Sequence, residues 1–87
     1  MLEIKVVSVR PVKGPGKIKG YASVEFGGVM VVEGFCIMRQ RAGLVVHSPR
    51  KVAADAPQWF DVVIFNPGFW DRLEPLILDA YALEVEK

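Results

Sequence analysis

The chain has 87 residues, 52% hydrophobic and 24% charged, with a single cysteine. These numbers allow one small domain with about 5 to 15 kcal/mol of net stability and leave out a disulfide scaffold; no apolar run approaches the roughly 18 residues of a membrane helix. The formal net charge of +1 hides a division: residues 1–51 carry nine Lys and Arg against three Glu, a local +6, and residues 52–87 carry two basic and seven acidic residues, a local −5.

Leu2, Ile4 and Val6 alternate with Glu3 and Lys5, after which the apolar positions change parity to Val7 and Val9, a strand with a bulge or one buried on both faces. The chain begins without a basic region followed by an apolar one, so nothing marks it for export, and a cytoplasmic location is expected. Lys13-Gly14-Pro15-Gly16-Lys17 is a turn. Ile18 to Phe26 then alternates, with Ile18, Gly20, Ala22, Val24 and Phe26 on one face and Lys19, Tyr21, Ser23 and Glu25 on the other. Gly27-Gly28 predicts a hairpin, because both positions accept positive φ.

The next strand, Val29 to Met38, is apolar on both faces: Val29, Val31, Phe35 and Ile37 on one, Met30, Val32, Cys36 and Met38 on the other. In so small a domain such a strand implies a helix on one face and a second copy on the other, or a central place in a curved sheet. Arg39-Gln40-Arg41-Ala42-Gly43 turns the chain into a short strand, Leu44 to His47. An irregular stretch is expected from Ser48 to Gln58 and a further strand from Trp59 to Ile64.

Phe69, Leu73, Leu76, Ile77, Ala80 and Tyr81 follow the spacing of one helix face. Two starts are open. Asn66 as N-cap with Pro67 at the first position leaves Pro75 in the helix interior; Asp71 as N-cap with Glu74 completing a capping box puts Pro75 near the first turn. The predicted fold class is α+β: a small antiparallel sheet of four to five strands with one C-terminal helix, in a single domain spanning 1–87 and dimerising through the sheet.

The chemistry-bearing residues give little support to catalysis. Cys36 lies mid-strand in an apolar run and reads as an inert hydrophobe, and His47 beside a turn reads as a surface residue. One Cys and one His cannot close a zinc site, and the Lys13–Lys17 turn lacks the Gly-Lys-Ser/Thr ending and the strand-loop-helix setting of a phosphate loop. No cofactor, metal or small-molecule substrate is expected.

The basic residues are more informative. Arg50 and Lys51, after Ser48-Pro49, read either as a phosphate clamp or as a solvated loop. Lys17, Lys19, Arg39 and Arg41 lie at or beside turns and read as supporting phosphate contacts. Antiparallel order puts Lys13, Lys17, Arg39 and Arg41 at one end of the sheet and Arg50 at the other, so one basic surface needs a second copy or a curling of the loop. Tyr21 has two readings, base stacking or cross-strand packing. Trp59, Phe60, Phe65, Phe69 and Trp70 seat the helix on the sheet or form an aromatic surface for a partner.

The run Ile18-Lys19-Gly20-Tyr21-Ala22-Ser23-Val24-Glu25-Phe26, the glycine hairpin, the Val-rich strand, Gly43-Leu44-Val45-Val46, the Pro-Arg-Lys segment, Phe60-Asp61 and Ile77-Leu78-Asp79-Ala80-Tyr81 together resemble the SpoVG septation-protein family, as a divergent member. The resemblance implies a cytoplasmic homodimer that binds DNA, and in some cases RNA, and regulates septation, sporulation or virulence genes. It supports Arg50, Lys51, Lys17, Lys19, Arg39 and Arg41 as nucleic-acid contacts. The alternative is a non-enzymatic protein-interaction module that uses the acidic, aromatic C-terminal region.

Overall fold

The computed structural model describes residues 2–52 and 59–86; the side chains of 52 and 59–61, Trp59 and Phe60 among them, lie outside that description. Four strands, β1 (Ile4–Pro11), β2 (Ile18–Phe26), β3 (Met30–Gln40) and β4 (Gly43–His47), pair antiparallel in the order β1-β2-β3-β4. Two short strands, β5 (Arg50–Val52) and β6 (Trp59–Asp61), form a separate ribbon, and helix α1 (Pro67–Val85) follows. The architecture is the predicted α+β one. It differs from expectation after His47: the stretch from Ser48 to Gln58 contains β5, and the strand predicted over 59–64 ends at Asp61. Those three residues pair with β5 (Arg50↔Asp61, Val52↔Trp59), so β6 does not extend the four-stranded sheet.

Three register shifts decide which side chains reach the core. At the first, Val6↔Val24 is followed by Ser8↔Ser23, so Val7 is an extra residue in β1, where the sequence parity changes. At the second, Ala22↔Phe35 and Val24↔Val32 enclose one residue of β2 and two of β3, Glu33 and Gly34. Gly34 takes φ +93°, a conformation that a side chain resists. The bulge reverses the predicted faces of β3: Val32 joins Phe35 and Ile37 on the core side, and Val31 shares the other side with Cys36 and Met38. At the third, Ile18↔Met38 is followed by Gly20↔Ile37, with Lys19 extra. Ile18 therefore leaves the face of Gly20, Ala22, Val24 and Phe26, to which simple alternation assigns it.

The hairpin after β2 forms as predicted, with φ of 59° at Gly27 and 70° at Gly28 and the Val29 N–H donating to the Phe26 carbonyl at 3.1 Å. α1 begins at Asn66, the first of the two predicted starts. The Asn66 side chain accepts from the Gly68 N–H at 2.9 Å, Pro67 follows it, and Pro75 lies inside the helix. The first turn tolerates Pro67 because the missing N–H has no helical partner there.

α1 crosses one face of the sheet and seals the core. Val24, Phe26, Phe35 and Ile37 of the sheet and Leu73 and Ile77 of the helix are fully buried, each burial of a Leu or Ile contributing about 1.5 to 3 kcal/mol. Phe65, Phe69 and Trp70 pack inward against Phe26 and Phe35, with ring centroids 5.7 to 6.3 Å apart. These three aromatics seat the helix, and Leu76, predicted for the core face, is exposed. The helix runs from β4, where a Glu74 carboxylate oxygen accepts from the Val46 N–H at 3.0 Å, to β1 and β2, where Tyr81 lies over Gly20. A Cβ at Gly20 would stand 3.2 Å from the Tyr81 ring and 3.1 Å from the Arg10 carbonyl oxygen, so the absent side chain sets how closely the helix approaches.

Candidate nucleic-acid interface

The face of the sheet turned away from α1 carries the residues that the bulges redirect. Ile18 and Tyr21 from β2, Cys36 and Met38 from β3, and His47 from β4 line a cavity of about 210 Å³, closed by Gly34, Ser48 and Arg50. Cys36 and Met38 alternate with the buried Phe35 and Ile37 and so face this side, and Pro49 packs beside the bulge, its Cβ in van der Waals range at 3.7 Å from where a side chain at Gly34 would begin. Pro49 is buried there, and the chain leaves it with Arg50 against the cavity.

Arg50 therefore does not stay at the far end of the sheet, where strand order alone puts it. The chain curls back, and Arg50 shares a cavity with Ile18 and Met38. Their chain neighbours are Lys17, Lys19 and Arg39. The Arg39 N–H donates to the Lys17 carbonyl at 2.8 Å, which fixes the ends of β2 and β3 side by side, and Arg41 stands in the two-residue turn that follows. Lys17, Arg39 and Arg41 thus cluster at one end, as predicted; Arg50 lies on the cavity face, whereas Arg39, paired with the core-packed Leu44, belongs to the side of the sheet that α1 covers.

Two predicted contacts take other positions. Arg50 and Lys51 are consecutive residues of β5, and consecutive strand residues project to opposite faces. Arg50 lines the cavity, and Lys51 lies outside its lining. Lys19 donates from its Nζ to the Gly14 carbonyl at 3.2 Å, which ties its charge to the turn before β2.

The cavity wall combines apolar, aromatic and polar groups. The His47 ring nitrogen lies 3.4 Å from the Gln40 side-chain nitrogen. Burial pushes the Cys36 thiol above its ordinary pKa, and the nearby Arg50 guanidinium, which favours the thiolate, offsets only part of that effect. Cys36 is therefore a protonated wall residue at neutral pH, and it belongs to this face rather than to the core. Sequence alternation misses Ile18, Met38 and His47 as neighbours. The available signal is Gly34, because a glycine inside a strand commonly marks a bulge.

Among the described residues no group of three or more His, Cys, Asp or Glu could hold a metal ion, and no helix is long and apolar enough to cross a membrane.

A four-stranded antiparallel meander with one helix across one face, and a cavity lined in part by Arg50 on the other, defines a small α+β protein of a recognisable family. The SpoVG family model matches residues 2–83, and the chain is 38% identical over 84 residues to a curated relative from Archaeoglobus fulgidus whose name assigns it to the SpoVG septation proteins. That match covers 93% of this chain and 95% of the relative. The chain belongs to the SpoVG family.

Proposed function

We propose that this protein is a nucleic-acid-binding regulator of the septation or sporulation type that acts as a homodimer in the cytoplasm. The observation that carries this reading is Arg50, which the chain's return after Pro49 sets in a cavity on the sheet face away from α1, with Lys17, Arg39 and Arg41 gathered at one end of the same sheet. Clustered Lys and Arg attract the phosphate backbone, and Arg is suited to bidentate phosphate contact. Family membership and the relative's name supply the link to septation. The homodimer is supported by the apolar residues exposed at the β2–β3 hairpin end, Val29, Met30 and Val31, with Leu2 beside them.

Gel shifts with duplex DNA, single-stranded DNA and RNA at two salt concentrations test binding, and sedimentation at micromolar concentration tests the dimer. The double change Arg50→Ala, Lys51→Ala should weaken binding and flatten its salt dependence, since each lost phosphate contact removes about one unit from the slope of log affinity against log salt. Unaltered affinity and slope would remove Arg50 and Lys51 as contacts. The protein-interaction alternative receives no support from Phe65, Phe69 and Trp70, which pack into the core instead of forming an outer aromatic surface.

A further inference from the structure

We infer that the cavity beside Tyr21 and Arg50 receives one unstacked nucleobase, so that the protein prefers single-stranded nucleic acid to duplex. This deepens the proposed function and rests on it.

The argument starts from size. Pockets that enclose whole cofactors or drug-sized ligands measure about 300 to 1,000 Å³. At about 210 Å³ this cavity suits one flat ring system. Its wall chemistry fits the same ligand. Ile18, Met38 and the Tyr21 ring supply apolar and aromatic surface for the faces of a base, and the His47 imidazole and Ser48 hydroxyl supply groups able to hydrogen-bond its edge. Bases held outside a helix are recognised by this combination, stacking on aromatic or apolar side chains with hydrogen bonds to the exposed edge. Arg50 completes the site by placing a guanidinium where the phosphate attached to such a base would pass.

Access then selects the form of the polymer. In a duplex the base faces are covered by their neighbours, and extruding one costs a few kcal/mol, a cost that a single strand largely escapes. An open antiparallel sheet with an aromatic residue in mid-strand offers a single strand a platform that a duplex cannot use without that extrusion. Tyr21 therefore serves as the stacking surface and not only as a cross-strand neighbour of Cys36 and Arg10, its partners in the sheet.

The test uses the full chain with one sequence prepared as single-stranded DNA, single-stranded RNA and duplex DNA, each single strand also carrying 2-aminopurine, whose fluorescence is quenched on stacking. Both single strands should bind at least tenfold more tightly than the duplex and show quenching. Tyr21→Ala should lose about tenfold on each single strand, within the range of one base–aromatic stack, while duplex affinity and its salt slope hold. Tyr21→Phe keeps the ring and should keep the affinity, and matching thermal melts show that both variants fold. Equal loss on single strand and duplex, or no loss, overturns the base site; if duplex binding persists, the proposed function stands without it. Absence of binding to all three polymers overturns both.

Discussion

Gly34 and Cys36 lie two residues apart and show how single positions shape the outer face. Gly34 holds φ +93°, and a Cβ there would meet nothing closer than Pro49 at 3.7 Å, so the barrier to a side chain is conformational rather than steric. Gly34→Ala should cost about 1 to 3 kcal/mol, read as a lower denaturation midpoint with an unchanged slope. A neutral result would mean that the bulge does not need the positive φ. Cys36 tests the electrostatics of the same face. Its raised pKa predicts a pH–rate profile for alkylation with a midpoint above the ordinary thiol value of 9.0, moving further up in Arg50→Gln. The sign for stability follows: the folded protein holds the thiol proton more tightly than the unfolded chain, so the contribution is present below the unfolded thiol pKa and is lost as pH rises through the folded value. A midpoint below the ordinary value would contradict the balance in which burial outweighs Arg50.

At the scale of elements, β4 is an edge strand, and its free side is guarded by the helix. Glu74 accepts from the Val46 N–H, occupying a donor that could otherwise pair with a strand from another molecule. Glu74→Ala should cost about 1.5 to 3 kcal/mol, the range for a hydrogen bond to a charged acceptor, and should speed hydrogen exchange at the Val46 amide. Protection unchanged at that amide would show that the carboxylate is dispensable. Elements also differ in how far they were legible in the sequence. β2 spans the residues predicted, because a strand with one buried face imposes strict alternation. Asn66-Pro67 was readable as a helix start, but local signals could not rank it above Asp71; packing of Phe69 and Trp70 into the core did so. Gly34 is the local sign of the bulge in β3, and periodicity does not show it, because Val31, Val32, Cys36, Ile37 and Met38 are all apolar, which makes either choice of face equally acceptable. β5 escaped detection because Arg50-Lys51-Val52 acquires its strand character from residues 59–61, which are distant in sequence.

For the molecule as a whole, the division of charge along the chain becomes a division in space. Lys17, Lys19, Arg39 and Arg41 collect at one end of the sheet and Arg50 at the outer cavity, whereas α1, which covers the face opposite that cavity, carries Asp71, Glu74, Asp79 and Glu84 against Arg72. Under the proposed function this distribution would orient a phosphate backbone toward the Arg50 face and the basic end of the sheet and away from the carboxylates of α1. Arg39→Ala, Arg41→Ala should reduce affinity for all sequences about equally and lower the salt slope by about two units, with thermal stability little changed. Loss confined to particular sequences would point to base reading by these arginines instead. The candidate site as a unit was less legible than its members, because the return of Arg50 to the outer face of the sheet depends on Pro49 packing beside the bulge.

The chain order of the sheet also bears on how the protein is made. Each strand pairs with its neighbour in sequence, so β1 to β4 can zip together successively during synthesis, with short loops to close. The cover for their apolar face, α1, emerges only after residues 67–85 are made. Until then Val24, Phe26, Phe35 and Ile37 face solvent on a completed sheet, and a stalled or truncated chain ending before Asn66 would present a sticky surface to chaperones and to its own copies.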